Sequence, residues 1–361
     1  MKEELKEFKK FIEDNKEKRT AVLHHTDPDG VCSGIITAKA LERITGKKPL
    51  LFHQNPGEIT VTENTVKELK EKQIQFLVSV DLSVDQNPEP IKEIEEFAKI
   101  LVLDHHKTYN ELNSTETLMI KSKDLTGVEG SKYPVSKLSF DLFSDLTDLK
   151  DLDWIACIGL LGDNAYSEWK DFVDGTIEKY GFEKKIEENI LFKIKKLIES
   201  IEVMDYSKME NLINVFLSAK KPEDLMKKDL LMELEGMEKE VAFWRMEFEQ
   251  KKEVFPGELI YFELKPEHSI KSVLINRISQ RYKNKTIVLV QDFSEEHVYF
   301  SARRQDFKVK VNDLLEKAVE GIPEATAGGH IPAAAGRIPR KYLKQFKENL
   351  IKKATKVKSE K

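Results

Sequence analysis

Cysteine is almost absent: the 361 residues hold two, Cys32 and Cys157. That excludes a disulfide framework and a four-thiolate metal site, and leaves two small buried residues of a reducing compartment. Glycine and proline are sparse, at 16 and 12, and no Gly/Ser-rich linker or internal repeat interrupts the chain. No stretch approaches the roughly 18 continuous apolar residues that a spanning helix needs. The first residues, MKEELKEFKKFIEDNKEKR, are charged throughout, so no secretory signal is expected. These absences point to a cytoplasmic protein without a membrane partner.

Charge is plentiful but nearly balanced, 59 basic against 64 acidic residues for a net −5. Taken alone, that disfavours a long phosphate backbone as the main partner. The total hides an asymmetry. Residues 251–361 hold 23 Lys+Arg against 14 Asp+Glu, or +9, while the rest hold 36 against 50, or −14. The C-terminal third is the better equipped to hold a polyanion.

Short apolar runs alternate with amphipathic stretches over the first 150 residues. Strands are expected at Ala21–His25, Leu50–His53, Ile74–Val80 and Ile100–Leu103, with helices at Val31–Ile44, Val66–Lys72 and Ile91–Ala98. This is the pattern of βαβ units and a parallel sheet covered on both faces. From about 135 to 250 the chain reads as helical, including a long charged helix at Lys228–Lys251. Beyond it, strands are expected at Glu258–Leu264, Thr286–Gln291 and His297–Ala302, with helices at Lys271–Tyr282, Val311–Val319 and Arg340–Lys353. The fold class is therefore α/β: a parallel-sheet domain over 1–190, a helical connector over 191–251, and a smaller α/β domain over 252–361. The lysine-rich end, KKATKVKSEK, reads as a frayed, solvated tail.

Four segments place acids or imidazoles at the ends of apolar runs: His24-His25-Thr26-Asp27-Pro28-Asp29-Gly30, Asp81, Asp104-His105-His106, and Gly162-Asp163-Asn164. Ligands of a parallel sheet gather at the carboxyl ends of its strands. Three segments reach that edge by strand logic alone, and the fourth needs its helix to return there. One Asp after a strand is often only a helix cap or turn residue. Four such segments at one edge would repel one another on burial unless divalent cations neutralise them. Oxygen and nitrogen donors without thiolate suit Mn²⁺, or Mg²⁺ and Co²⁺, better than structural zinc. The donors exceed what one ion needs, and two ions roughly 3.5–4 Å apart clamp a phosphoryl group for in-line displacement. Neighbouring residues of a strand point to opposite faces, so only one of His24 and His25 is a ligand, and alternation alone leaves open which.

In order and approximate spacing these segments resemble the four signature motifs of the DHH phosphoesterase superfamily. That family includes RecJ-type exonucleases, oligoribonucleases, cyclic-dinucleotide phosphodiesterases and one class of inorganic pyrophosphatase. Gly328-Gly329-His330, followed by Ala333-Ala334-Ala335-Gly336, resembles the glycine-glycine-histidine motif of the DHH-associated substrate domain. Ser301-Ala302-Arg303 is similar to that domain's strand-borne arginine. The resemblance implies that His25, Asp27 and Asp81 hold one metal. It implies that Asp29, Asp81, His105 and Asp163 hold the other, with Asp81 bridging. Asp104 would orient His105 without touching the metal, and His106 would lie near the scissile phosphate. Arg303 and His330 would bind the phosphate or base of a terminal nucleotide, with Gly328 and Gly329 admitting it close to the backbone.

The leading expectation is a Mn²⁺-dependent phosphodiesterase acting on short single-stranded oligonucleotides or dinucleotides, cyclic di-AMP and its linear product included. It would release nucleoside 5′-monophosphates, and the sequence leaves homodimerisation open. The alternative is a RecJ-like processive single-strand exonuclease working with replication or repair proteins. A catalytically dead scaffold would be expected to have lost ligands, whereas every position is filled here. His25 two residues before the first Asp, and the glycine-glycine-histidine segment, speak against a pyrophosphatase.

Overall fold

The computed structural model describes residues 2–292 and 294–359. Its chain forms two compact units, Met1–Leu231 and Met232–Lys361.

In the first unit the elements run α1 (Lys2–Asn15), β1 (Thr20–His24), α2 (Pro28–Thr45), β2 (Leu50–His53), α3 (Glu63–Glu71), β3 (Phe76–Val80), α4 (Glu89–Glu95), β4 (Lys99–Asp104) and β5 (Thr117–Lys121). Helices follow: α5 (Ser122–Thr126), α6 (Val135–Ser144), α7 (Asp153–Gly162), α8 (Lys170–Tyr180), α9 (Ile190–Met204) and α10 (Met209–Ser218). The five strands are all parallel, in the order β2-β1-β3-β4-β5. Every residue of β3 is buried, as a sheet covered on both faces requires. On one face Leu23, Leu77, Ile100 and Val102 meet Val66 and Leu69 of α3 and Ile91 and Ile94 of α4. On the other side α2 lies against β1 and packs on α6 and α7.

The chain leaves β1 to build β2 on one side and returns to build β3 on the other. The strand order therefore reverses between β1 and β3, where open α/β sheets bind their ligands. Register pairs His24 with Val80 and Val80 with Leu103. The residues that follow, His25, Asp81 and Asp104, emerge at one level along the same edge.

The expected strands of this unit are present with ends shifted by up to two residues, and β5 is an addition. Its run TLMIK is short and follows a polar loop. The run WIACIGLLG is a helix, α7. Helices α9 and α10 pack within this unit, and α11 (Lys228–Lys251) crosses the division between units. Among the described residues no helix is long and apolar enough to cross a membrane.

The second unit holds β6 (Glu253–Phe255), β7 (Leu259–Leu264), α12 (Lys271–Ser279), β8 (Thr286–Gln291), β9 (His297–Arg303), α13 (Val311–Val319), β10 (Thr326–Gly329), β11 (Ala333–Pro339) and α14 (Leu343–Ser359). Its sheet has the order β10-β11-β9-β8-β7-β6, and only β7 and β8 run parallel. Leu259, Tyr261, Val288 and Phe300 form a core with Leu314 and Leu315 of α13 and with Phe346 and Leu350 of α14. Phe262, on the alternate face of β7, meets Trp244 and Phe248 of α11. The tail expected to fray continues α14 as far as Ser359, and its last two residues lie outside the described residues.

Candidate metal centre

Asp27 is the N-cap of α2, its Oδ1 accepting the Gly30 N–H at 2.9 Å. The cap leaves Oδ2 facing His25, whose Nδ1 is 3.2 Å away. Asp29, in the first turn of the same helix, is fully buried. Its carboxylate accepts the backbone N–H groups of Val135 at 2.6 Å and Ser136 at 3.0 Å, where α6 begins. Gly159 on α7 makes room for this contact, since a Cβ there would stand 2.8 Å from Asp29 Oδ1 and press into Ser136.

Asp81 follows β3 with φ +58°, a left-handed conformation that Asp adopts more readily than most residues. The turn aims its carboxylate back across the strand ends. Oδ2 lies 4.0 Å from His25 Nδ1, and Oδ1 lies 3.2 Å from His105 Nε2. His105 Nε2 also lies 3.5 Å from Asp163, the C-cap residue of α7. On the far side of the ring, Nδ1 donates to the Gly130 carbonyl at 3.2 Å. That bond fixes the ring and directs Nε2 at the acids.

Among the described residues of this unit three donor groups result, each with one atom per residue inside 4.8 Å: His25, Asp27 and Asp81; Asp29, Asp81 and His105; and Asp81, Asp104 and His106. Asp81 belongs to all three, and the residues expected to hold metal make up the first two. Asp163 joins the second through His105. All six residues expected to hold metal are thus brought together. His24 stands apart: it is buried, and its Nδ1 donates to the His25 carbonyl at 2.6 Å. Burial holds its pKa down at about 4.

Electrostatics tests whether cations fit. Burial, followed by the neighbouring carboxylates Asp27 and Asp29, pushes Asp81 well above the ordinary range. Burial and then Asp29 bring Asp163 up to about 8. Burial works to lower His25, but Asp27 and Asp81 outweigh it and raise it to about 10. Asp81 Oδ1 is buried and accepts no hydrogen bond. Acids so crowded either take up protons or share divalent cations, and this donor set fits the latter.

Asp104 behaves differently from what the resemblance implies. Its Oδ1 accepts from His106 Nδ1 at 2.7 Å, whereas His105 is oriented by the Gly130 carbonyl. Adjacent residues at a strand end point apart, so the carboxylate reaches His106, two positions on, and leaves His105 to another partner. Its Oδ2 accepts from Lys121 Nζ at 2.9 Å. Burial would raise Asp104, but His106 and Lys121 hold it far below the usual carboxylate range. Lys121 and its second carboxylate, Asp85, are functional candidates that sequence reasoning missed. Glu202 is another: it accepts from Thr26 Oγ1 at 2.9 Å, and burial raises it to about 7. The expected signal for Lys121 was an unrecognised strand, TLMIK, ending level with Asp104.

Within the second unit, Arg303 ends β9 in register with Ala333 of β11. Its Nε donates to Asn276 Oδ1 at 2.8 Å and its Nη1 to the Ala334 carbonyl at 3.4 Å. Gly328 and Gly329 end β10, and His330 opens the turn into β11, pairing backbone to backbone with Ala333. Gly329 has φ +135°, and a Cβ on it would stand 2.5 Å from the Ala333 carbonyl oxygen. The arginine and the glycine-glycine-histidine turn therefore share one end of this sheet. Lys271, the first residue of α12, was not anticipated. It is buried, its Nζ donates to Ser301 Oγ at 2.7 Å, and burial together with Arg303 lowers it to about 7.

A parallel sheet with an Asp/His donor cluster at its switch point, followed by a separate mixed-sheet unit, defines a two-unit α/β protein built around a candidate dinuclear centre. The DHH family N-terminal domain matches residues 19–147 and the DHHA1 domain matches residues 259–360. The chain belongs to the DHH superfamily, with a C-terminal DHHA1 domain. No curated protein matches it significantly in sequence.

Solved structures share the fold. RecJ from Thermus thermophilus, in complex with Mn²⁺, is 16% identical with a TM-score of 0.72 over 98% of this chain. This chain spans only 55% of that RecJ. A DHH domain from a protein described as a member of a family of ribosomal proteins is 16% identical, with a TM-score of 0.74 over 98% of this chain and 91% of its own. CDC45 from Entamoeba histolytica is 11% identical, with a TM-score of 0.53 over 97% of this chain and 99% of its own.

Proposed function

We propose that this protein is a two-metal phosphodiesterase that hydrolyses short single-stranded oligonucleotides or dinucleotides to nucleoside 5′-monophosphates. Cyclic di-AMP and its linear product fall within the class. The observation that carries this reading is Asp81, shared by two donor groups at the switch point of the sheet. His25 and Asp27 would complete one cation site, and Asp29, His105 and Asp163 the other, with Mn²⁺ the preferred ion and Mg²⁺ or Co²⁺ alternatives. Two bound cations supply charge neutralisation of the phosphoryl oxygens and activation of the attacking water.

The side chains do the rest. His106, held through Nδ1 by Asp104, would direct Nε2 to the leaving oxygen and pass it a proton as the P–O bond breaks. The ring is left neutral, with its Nδ1–H still on Asp104. In the second unit Arg303 would grip a terminal phosphate or base beside His330, and Gly328 and Gly329 would keep side chains out of its way. The excess of acid outside residues 251–361 supports a short substrate over a long one.

A second reading, a RecJ-like processive exonuclease acting with replication or repair proteins, draws on the fold shared with RecJ and CDC45. One assay separates the two: Mn²⁺-stimulated product release from linear and cyclic dinucleotides and from DNA and RNA of about 5 to 30 nucleotides. The short-substrate reading expects kcat/KM to be highest for the shortest chains. A steep rise with length and a strong salt slope would replace it with the exonuclease.

A further inference from the structure

Lys121 ends β5 and is 1% exposed. A lysine buried so deeply is costly unless several groups hold its charge. Four do. Its Nζ donates to Asp104 Oδ2 and Asp85 Oδ1, each at 2.9 Å, and to the carbonyls of His106 and Lys107, each at 3.3 Å. Lys121 and Asp104 are register partners across β5 and β4, so their side chains leave the sheet on the same face. The other oxygen of Asp104 meets His106 Nδ1 at 2.7 Å. One amine thus touches His106 twice, at its own carbonyl and through the carboxylate on its ring. Asp85 extends the hold: it accepts the backbone N–H groups of Tyr109 and Asn110, and its carbonyl accepts from Asn110 Nδ2 at 2.7 Å.

A carboxylate terminal torsion is broad and nearly two-fold. With only His106 as partner, Asp104 would turn freely about it. We infer that Lys121 is a positioning residue for His106: by engaging one oxygen of Asp104 it keeps the other on Nδ1, fixing the tautomer and aim of the ring so that chemistry falls to Nε2. Asp85 and the two carbonyls locate the amine, and Asp104 transmits its position. The inference rests on the hydrolytic role given to His106 above, but the tautomer can be read without any turnover.

The test uses the full-length protein with Lys121→Met, Lys121→Leu and Asp85→Asn. Histidine-labelled, metal-free samples, raised in pH until the His106 signals stop shifting, are read by two-bond ¹⁵N–¹H correlation, with His106→Gln assigning the signal. Wild type is expected to carry the His106 proton at Nδ1, Lys121→Met to lose that preference, and Asp85→Asn to keep it. In turnover, Lys121→Met should lower kcat by roughly 10–100-fold, as loss of a supporting hydrogen-bond partner does. KM and Mn²⁺ affinity should stay within about threefold of wild type. If the methionine variant does not fold, Lys121→Leu, which likewise removes both the charge and the donor, is read against the same criteria. An unchanged tautomer, or equal kcat losses in the Lys121 and Asp85 variants, would make Lys121 a structural brace and overturn the inference. A wild type that holds the tautomer but hydrolyses nothing would count against the phosphodiesterase reading instead.

Discussion

Asp81 faces two histidines from opposite sides of one carboxylate: Oδ1 lies 3.2 Å from His105 Nε2 and Oδ2 lies 4.0 Å from His25 Nδ1. Residues 80 positions apart in sequence, His25 and His105, are joined through a single side chain. Asparagine tolerates the left-handed backbone of this position, φ +58°, better than alanine does. Asp81→Asn should therefore keep the fold while losing both shared sites. Hydrolysis is expected to fall by roughly 10²–10³-fold or more, and calorimetric titration should no longer give two Mn²⁺ per chain. Retention of two bound ions would remove Asp81 from the bridging role.

Gly159→Ala tests the packing behind the site. The added methyl would press into Ser136 and come within 2.8 Å of Asp29 Oδ1, in a spot walled by α2, α6 and α7. Overpacking of this kind costs about 1–3 kcal/mol. A lower melting temperature is expected together with weaker Mn²⁺ affinity, because Asp29 must yield. A variant that melts lower but binds Mn²⁺ as tightly as wild type would separate Asp29 from metal binding.

Stability of the metal-free protein should fall as pH rises from about 6.5 towards 8. Asp163 sits at about 8 in the fold against an ordinary 3.8. Between those values the folded chain keeps a proton that the unfolded chain has lost, so raising the pH favours unfolding. His25, raised from 6.5 to about 10, works in the same direction: its stabilisation is complete below 6.5 and gone above 10. Lys271, lowered from 10.5 to about 7, works the other way above 7, but up to about 8 it is one group against two. Mn²⁺ replaces the protons on Asp163 and His25, so the melting-temperature gain on adding it should be larger at about pH 8 than at about 6.5. Thermal melts at both pH values, with and without Mn²⁺, decide it, and a metal-free melting temperature that climbs across this window would contradict the assignment.

Arg303→Ala addresses the second unit. A hydrogen bond to a charged group contributes about 1.5–3 kcal/mol, so KM for a dinucleotide should rise roughly 10–100-fold while kcat changes little. Steady-state kinetics on the dinucleotide checks this. A drop in kcat with KM unchanged would move Arg303 from substrate binding to chemistry.

Much of the site was legible before the fold was known, and the residues show why. Strands β1, β3 and β4 are short apolar runs, and each is followed at once by an acid or imidazole. Parallel strands place such residues at one edge without any knowledge of what packs on them. Asp27 was legible twice, as a helix cap beside Pro28 and as a ligand. Strand β5 escaped because nothing chemical follows TLMIK, and Lys121 escaped with it. Strands β10 and β11 escaped because TAGG and AAAGRIP are mostly alanine and glycine, with Thr326 and Ile338 their only β-branched residues and no aromatic to mark a strand.

By itself the sequence determined the α/β class and the strand edge at which the segments of His25, Asp27, Asp29, Asp81 and His105 collect, because strand and helix periods are local and act within a few residues; Asp163 reaches that edge only through the packing of α7. Only the tertiary structure decided the partners: Asp104 to His106 rather than His105, the Gly130 carbonyl to His105, the Val135 and Ser136 amides to Asp29, and Lys121 to Asp104. Most of these contacts join residues 17 to 107 positions apart, and register and packing, which no local pattern encodes, choose among the neighbours each side chain can reach.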